Sequence, residues 1–237
     1  MNFLKLAIPL FATAGLMTSV ANANPITFSG TDVGANSTDP RPNSNAAAAS
    51  FDAAAGALGS TSLINFESAP LGTVNNLVIA PGVTLTGAPL SIVNSPIGTP
   101  DRLFGYNTTA GGSQFAALSG SMTFTFTNPI DALGAYLSGV QSGPETITFN
   151  DGTSQTIPIP NLGILTGGVE FLGFTDAGKQ ITSVSINVSG DIVGVDDVRF
   201  TGASAAVPGP IAGAGLPGLI LAGGGLLGWW RRRRKIA

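Results

Sequence analysis

The feature that most constrains the fold is a strict alternation of apolar and polar side chains in the middle of the chain. The segment MTFTFT, residues 122–127, places Met122, Phe124 and Phe126 on one face of an extended chain and three threonines on the other. Successive side chains of a β-strand point to opposite faces of the sheet, so this spacing predicts a strand with one buried face. Shorter segments with the same spacing occur at 147–149 and 184–188.

Segments of this kind recur along residues 61–202, and turn-forming residues separate them. Asn150-Asp151-Gly152 stands between two of them, as a hairpin requires, because Asp and Gly tolerate the positive φ angles of tight turns. The chain also holds 33 Gly and 16 Pro, which leaves little room for the long helices of a βαβ unit. Roughly ten short strands predict an all-β fold, an antiparallel β-sandwich of jelly-roll type over residues 61–202. The other strand segments lie at 62–66, 74–80, 83–87, 115–120, 133–139, 169–174 and 193–200.

Residues 24–60 do not follow the alternation. The stretch GTDVGANSTDPRPNSN, which begins at residue 30, is rich in Gly, Asn, Ser and Pro, and this composition predicts a flexible lead-in. The alanine-rich stretch that follows predicts one short helix, with Ser44 or Asn45 as its N-cap and Gly59 as its end. Phe51 and Leu58 are seven positions apart, so both would face the β domain.

The first 23 residues predict a signal peptide. Lys5 precedes an apolar run at 6–20, and Ala21 and Ala23 supply the small side chains that signal peptidase accepts at its cleavage site. The alternative is a retained membrane anchor, but the apolar run is short and is interrupted by a proline and a glycine. We therefore expect cleavage after Ala23 and export across the inner membrane.

The other end of the chain predicts a transmembrane segment followed by a cytoplasmic tail. Residues 203–210 form a linker with the motif VPGP, and residues 211–230 follow without a charge, about the length that a helix needs to cross a bilayer. Trp229 and Trp230 stand where interfacial aromatic residues occur, and the basic cluster after them resists translocation, so residues 231–237 are expected to form a cytoplasmic tail. The motif consists of Val207, Pro208, Gly209 and Pro210, and the basic cluster consists of Arg231, Arg232, Arg233, Arg234 and Lys235.

The transmembrane segment at 211–230 is a weak one. It holds seven glycines and one proline, and each Gly lowers helix propensity by about 1 kcal/mol relative to Ala. A weak span behind a rigid, extended VPGP is typical of a segment that a membrane enzyme removes. A plain single-span anchor is the alternative, whereas a nucleic-acid-binding tail is disfavoured, because a soluble tail does not carry such an apolar run.

VPGP, a glycine-rich apolar span, two tryptophans and an arginine cluster together resemble the PEP-CTERM sorting signal, which exosortases of Gram-negative bacteria recognise. In that family the short motif is typically Val-Pro-Glu-Pro, and Gly209 stands here in place of the Glu. The resemblance implies cleavage by an exosortase next to the Pro-Gly-Pro element, followed by attachment to a surface component or release. It also implies association with the extracellular polysaccharide of a biofilm matrix.

The charge and composition of the exported part, residues 24–206, disfavour several classes of partner and activity. Residues 24–206 carry four basic and thirteen acidic side chains, a formal charge of −9, and such a surface repels nucleic acid and anionic lipid. The chain has no His and no Cys, so an imidazole base, a thiol nucleophile and the usual zinc ligands are missing. Because no acid–base constellation is evident, we do not expect an enzyme.

Two acidic segments bracket the predicted sandwich, INFES with Glu67 and GVDDVRF with Asp196 and Asp197. By alternation Asp196 shares a face with Val198 and Phe200, and a buried carboxylate needs a partner. The first and last strands of a jelly roll often lie side by side, so Glu67 and Asp196 are candidate ligands of a structural calcium ion. Two alternatives stay open: Asp196 accepts hydrogen bonds from loop backbone, or a bulge turns it outward.

The same carboxylates make a poor glycosidase pair. Glycoside hydrolysis needs two acids in a cleft, usually beside aromatic platforms for the sugar, and the exported part has no Trp and only Tyr106 and Tyr136. The scarcity of aromatic rings also weakens a classical sugar-binding surface. The sequence therefore predicts first a structural or interaction protein of the bacterial surface. The second hypothesis is a carbohydrate-binding module with calcium-assisted or loop-borne contacts around Tyr106, and the third is a glycoside hydrolase.

Overall fold

The computed structural model describes residues 24–202 with the exception of 96, 97 and 99. The predicted signal peptide (1–23), with Ala21 and Ala23, lies outside the described residues. So do the VPGP linker (203–210), the predicted transmembrane segment (211–230) and the basic tail (231–237). Within the described ranges, no helix is both long and apolar enough to cross a membrane.

The described residues form eleven β-strands, one α-helix and one short 3-10 helix. This confirms the prediction of a mostly β chain with one short helix. In chain order the elements are β1 (Ile26–Val33), α1 (Pro42–Leu58), β2 (Thr61–Ile64), β3 (Gly72–Thr73), β4 (Leu77–Ala80), β5 (Val83–Asn94), the 3-10 helix (Asp101–Leu103), β6 (Gln114–Ser138), β7 (Glu145–Asn150), β8 (Ser154–Ile159), β9 (Gly168–Thr175), β10 (Ile181–Asn187) and β11 (Val193–Gly202).

All eleven strands belong to one curled sheet with two arms that share β6. The first arm surrounds residues 114–127 of β6, which pair with β5 and with β10, and β7 and β8 continue beyond β10. The second arm surrounds residues 130–138 of β6, which β9 and β11 flank; β1 continues beyond β9, and β2 continues beyond β11. Outside the irregular pairing of β6 with β11, the pairings are antiparallel, as the sequence predicts.

β6 is one strand of 25 residues, whereas the sequence predicts three separate strands in this region. The predicted breaks fall at Gly120 and Pro129. Gly120 lies opposite a register shift of β5, where a side chain would collide with the carbonyl oxygen of Ala88. Pro129 lies opposite a register shift of β10 next to Ile181, where its missing N–H is tolerated. At both places the extra residues are in β6, because Ala88 to Leu90 of β5 spans Ser121 to Leu118 and Ile181 to Ser183 of β10 spans Ile130 to Thr125. The two residues therefore mark bulges of β6 itself and do not end it.

Apolar side chains from both arms meet in one core. Phe149 of β7, in the first arm, stacks on Phe174 of β9, in the second arm, with 4.1 Å between the ring centroids. The three side chains whose alternation predicts a buried face, Met122, Phe124 and Phe126, are all buried. Burial of each such side chain stabilises the fold by about 1.5–3 kcal/mol.

Helix α1 covers the outer face of the second arm. The ring of Phe51 lies 5.5 Å from that of Phe171 in β9 and 5.8 Å from that of Phe28 in β1, between centroids. β9 is therefore covered on both faces, and all eight of its residues are buried. The helix ends at Gly59, as predicted.

Residues 24–60 contain the predicted short helix and also a strand that the sequence analysis did not predict, since β1 pairs with β9 from Ile26 to Val33. β9 carries large side chains on both faces, and β1 satisfies the backbone groups along its outer edge. The strand is difficult to predict because Gly30 interrupts its pattern. A side chain at Gly30 would collide with the carbonyl oxygen of Asn43 in α1, so this glycine lets the helix approach the sheet.

The N-terminus of α1 is capped by a side chain from β1. The helix begins at Pro42, and neither Ser44 nor Asn45 is its N-cap. The carboxylate of Asp32 accepts the N–H of Asn43 at 3.0 Å and that of Ser44 at 2.8 Å. Burial opposes ionisation of Asp32, but the hydrogen bonds from these two residues outweigh it and lower its pKa.

The two ends of the described chain lie at the same end of the second arm. Ile26 is opposite Thr175, which is opposite Ala132, which in turn is opposite Thr201. Three strand spacings, roughly 15 Å, therefore separate the first strand from the last. Asp196 of β11 lies opposite Tyr136, four residues farther along β6, so it is about 13 Å away from this row.

Candidate functional site

Asp196 lies at the centre of a hydrogen-bonded cluster beneath the loop 107–113. Its Oδ2 accepts the N–H of Thr108 at 2.7 Å and that of Thr109 at 3.0 Å, and its Oδ1 accepts the N–H of Asp197 at 2.8 Å. The side chain is wholly buried. Acceptance of hydrogen bonds from loop backbone, one of the alternatives left open by the sequence, is therefore confirmed.

A bulge in β11 points Asp196 at this loop. Asp197 has a φ of 47°, and the register with β6 shifts between Asp196 and Arg199. Val195 and Val198 both belong to the core between the arms, so the alternation breaks between them. Asp196 therefore does not share a face with Val198, and the prediction of its burial was right for a different reason.

Threonine hydroxyl groups complete the cluster. Thr109 donates its hydroxyl to Oδ1 of Asp197 at 2.7 Å, and Thr108 donates its hydroxyl to Oδ2 of Asp196 at 3.2 Å. Burial, followed by the charge of Asp197, raises the pKa of Asp196 to about 7, although the backbone N–H groups of Thr108, Asp197 and Thr109 lower it. Two adjacent carboxylates are thus held together by a shared set of donors.

Glu67 holds the other end of the same loop. Its Oε1 accepts the N–H of Ser113 and that of Gln114, both at 2.9 Å. Glu67 follows β2, and Ile64 of β2 lies opposite Val198 of β11. The first and last strands of the predicted sandwich are therefore neighbours, as expected, and they bring both predicted carboxylates to the loop.

The structure connects Glu67 and Asp196 through the loop. Each of their four carboxylate oxygens accepts at least one backbone N–H, so a calcium ion would compete with these donors. In the part of the chain that the structure describes, no group of three or more acidic, His or Cys side chains could hold a metal ion. The calcium site at Glu67 and Asp196 stays a prediction.

The outer side of the loop lines an open cavity of about 340 Å³. The opposite wall is the segment before α1, with Ser37, Thr38 and Arg41. Nη2 of Arg41 donates to the carbonyl oxygen of Thr108 at 3.1 Å, and the guanidinium lies 5.5 Å from the ring centroid of Tyr136. The cavity is therefore walled by hydroxyl, amide and guanidinium groups on a braced backbone, which suits a polar ligand.

Neither tyrosine offers a flat surface for a sugar. Tyr106 is fully buried, and its hydroxyl donates to the carbonyl oxygen of Ala35 at 3.1 Å while its N–H donates to Oγ of Ser138 at 2.8 Å. Burial raises the pKa of Tyr106. Tyr136 is also buried and donates its hydroxyl to Asn45 at 2.7 Å. Sugar contacts by the ring of Tyr106 are therefore ruled out, while the loop that follows it remains available.

The arrangement separates the buried carboxylates from the cavity. Asp196 has its pKa near 7, but it lies behind the loop and its oxygens already accept backbone N–H groups. The side chains that face the cavity bind by hydrogen bonding. The site is thus suited to binding a polar molecule.

Sequence analysis did not identify the loop 107–113 as an element of the site. A usable signal was present in NTTAGG, since Asn before a turn often bonds its own backbone. Oδ1 of Asn107 accepts the N–H of Thr109 at 3.0 Å, and its Nδ2 donates to the carbonyl oxygen of Thr109 at 2.9 Å. Gly111 has a φ of 75° in the same turn.

No protein-family model and no curated protein matches the chain. Among solved structures, the chain is similar to the K2 cleaved adhesin domain of Lys-gingipain. The two are 16% identical with a TM-score of 0.40, and the alignment covers 60% of this chain and 99% of that domain.

Proposed function

We propose that the protein is an exported surface or extracellular-matrix protein of a Gram-negative bacterium, sorted by an exosortase through a PEP-CTERM-type tail. The observation that carries the proposal is the order of features in residues 207–237: VPGP, an uncharged span, two tryptophans and a basic cluster. Signal peptidase acts at the other end, after Ala23. The protein passes through the inner membrane and ends at the cell surface or outside the cell.

The folded part of the protein is, in this proposal, a jelly-roll-like β-sandwich. Support comes from the two arms of the sheet, whose apolar faces enclose one core, and from the contact between β2 and β11. Its role is structural and non-enzymatic, and its partner is extracellular polysaccharide. The charge of −9 on residues 24–206 disfavours nucleic acid.

The position of the chain ends supports sorting through the tail. The sorting segment follows directly after Gly202, at the end of the second arm where β1 also starts. The cavity on the outer side of the loop 107–113 lies toward the other end of that arm, where Asp196 holds the inner side of the loop. A body held by its tail would therefore turn the cavity away from the membrane.

The decisive experiment is the intact mass of the protein from its native host and from a strain without exosortase activity. We expect both ends to be cut in the host, and the C-terminal cut to be lost in the exosortase-deficient strain. Pro208→Ala together with Pro210→Ala should also retain the tail, whereas Pro160→Ala, outside the motif, should not. A mature protein whose mass includes the complete tail in the host would overturn the proposal in favour of a plain anchor.

The cavity favours a second candidate function, the binding of a hydroxyl-rich glycan. Its walls present Ser37, Thr38 and Arg41 opposite the backbone of the loop. Ala110→Trp should fill the cavity and abolish binding on an array of bacterial polysaccharides, whereas Ala57→Trp on the exposed face of α1 should not. An array without any bound polysaccharide would exclude this candidate and leave the sorting proposal intact.

A further inference from the structure

Two glutamates lie inside the protein without hydrogen-bond donors. Glu145, the first residue of β7, is 2% exposed, and Glu170 of β9 is fully buried. Each stands two residues before a core side chain of its strand, Ile147 and Leu172 respectively, so both point between the arms. Among the residues that the structure describes, no N–H or O–H group donates to any of their four carboxylate oxygens.

A third carboxylate, Asp191, holds the connection that leads into Glu145. It lies between β10 and β11, and its Oδ2 accepts the N–H of Gln141 at 2.7 Å and that of Ser142 at 3.1 Å. Its Oδ1 accepts the N–H of Ile192 at 2.8 Å. Asp191 therefore fastens the connection between β6 and β7 to the start of β11.

Glu145 begins β7 directly after the connection that Asp191 fastens, and a side-chain hydrogen bond between the two carboxyl groups requires a proton. Two ionised carboxylates are both acceptors and repel each other, whereas a protonated Glu145 donates to Asp191. Burial, this hydrogen bond, and the charges of Asp191 and Glu170 together raise the pKa of Glu145 to about 9. Burial alone raises the pKa of Glu170 to about 8.

We propose that Glu145 and Asp191 form a pH-sensitive latch, in which a buried proton on Glu145 keeps the β6–β7 connection fastened and its loss releases it. Glu170 is a second proton-holding carboxyl group in the same core and acts on Glu145 through its charge. When Glu145 ionises, its charge repels Asp191, which is the acceptor for Gln141 and Ser142. The released segment borders an open cavity of about 360 Å³, which Gln141, Asp191 and Ile192 line. Alkaline pH thus opens the fold at this position.

The direction of the pH dependence follows from proton binding. Below the usual glutamate pKa of 4.5, folded and unfolded chains are both protonated at these sites. Above it, the unfolded chain releases protons that the folded chain retains, so stability falls as pH rises. Each retained proton increases the unfolding equilibrium constant about tenfold per pH unit, until the pH passes the folded pKa values near 8 and 9.

The test compares the full-length protein with Glu145→Gln, Glu170→Gln and the double variant in denaturant unfolding between pH 5 and pH 9. Up to about pH 7, Asp196 and Asp176, whose pKa values are raised to about 7 and about 6, add to the slope in every variant. Above pH 7 we expect a steep loss of stability with pH in the wild type, about half of that slope in each single variant, and almost none in the double variant. Glu67→Gln is the matched control, because Glu67 is supplied with backbone donors, and it should keep the wild-type slope.

Two further measurements keep the latch falsifiable if a variant does not fold. Carboxyl-carbon NMR titration of the wild type should show Glu145 and Glu170 protonated at pH 7, and hydrogen exchange of the Gln141 and Ser142 amides should accelerate about tenfold or more between pH 7 and pH 9 beyond the intrinsic increase. Ionised glutamates at pH 7 would overturn the proposal. A melting temperature that calcium raises and a chelator lowers, with the effect lost in Glu145→Gln, would also overturn it, because the oxygens would then hold a cation.

Discussion

Asp196 and Glu170 are both wholly buried carboxyl groups in the second arm of the sheet, yet their surroundings differ. Asp196 accepts three backbone N–H groups from the loop and its own bulge, whereas Glu170 has no donor within reach. The difference arises from the backbone. Loop and bulge residues carry N–H groups that no strand pairing uses, but β9 is paired on both sides, with Thr31 and Leu137 opposite Glu170.

The comparison shows that depth of burial alone does not determine the state of a carboxyl group. With donors, the pKa of Asp196 stays near 7 beside another acid, while without them the pKa values of Glu145 and Glu170 rise to about 9 and 8. Asp196 therefore organises a loop, and the glutamates act as neutral, proton-holding core residues. Three substitutions test this distinction.

The largest effect is expected from Asp196→Ala. It leaves the N–H groups of Thr108, Thr109 and Asp197 without their acceptor in a buried place, and each unsatisfied donor costs about 1–3 kcal/mol. We expect the free energy of unfolding at pH 8 to fall by about 3–5 kcal/mol in urea titration.

Asp196→Asn is the matched control, because the amide keeps one acceptor oxygen and should lose less than the alanine variant. A loss below about 1 kcal/mol for Asp196→Ala would mean that the loop does not depend on this carboxylate. The same samples, melted with calcium and then with a chelator, test the predicted ion at Glu67 and Asp196. An unchanged melting temperature would exclude it.

Glu170→Met should raise the free energy of unfolding, and this change should be smaller than the loss in Asp196→Ala. The methionine side chain is apolar and about as large as that of glutamate, and the substitution removes a carboxyl group whose ionisation burial disfavours. We therefore expect stabilisation by about 1–3 kcal/mol at pH 8. The gain should shrink toward pH 5, because the unfolded chain then also retains its proton. Thermal melts at both pH values measure the difference, and destabilisation at pH 8 would show that Glu170 has a partner after all.

The smallest effect is expected from Asp52→Ala. Asp52 is an exposed carboxylate, so this variant extends the comparison of carboxyl groups from the interior to the surface. Asp52 is 45% exposed and lies 3.4 Å from Nε of Arg199. Exposed ion pairs contribute about 0–1 kcal/mol, and Arg199 keeps its position over the rings of Tyr136 and Phe171 at 5.3 and 5.5 Å. A urea titration that shows a loss above about 1 kcal/mol would indicate that this pair organises the helix contact.

Several of these features were readable in the sequence, because they depend on local periodicity. Alternation predicted the buried face of Met122, Phe124 and Phe126, and all three are buried. The burial of Glu145 and Glu170 was not predicted, although each stands two residues before a core side chain, Ile147 and Leu172.

Other features depend on tertiary contacts and could not be read locally. β1 is held by β9, the cap of α1 comes from Asp32, and β6 continues through Pro129 because β6 itself is bulged there and pairs with β10 on either side. The bulge at Asp197 decided which way Asp196 points, and no periodic pattern encodes a bulge. For the loop 107–113, the turn at Asn107 has a local signal, but the anchoring of the loop does not, since Asp196 and Glu67 are far away in the chain.

The position of β11 between β2 and β6 has a mechanical consequence. If the tail holds the protein after Gly202 and a partner pulls at the loop above Asp196, the tension runs along β11, at right angles to its hydrogen bonds. The force would then act as shear on all of these hydrogen bonds at once, so they would not break one after another. A strand held on both sides in this way suits a protein that must resist flow while attached by one end.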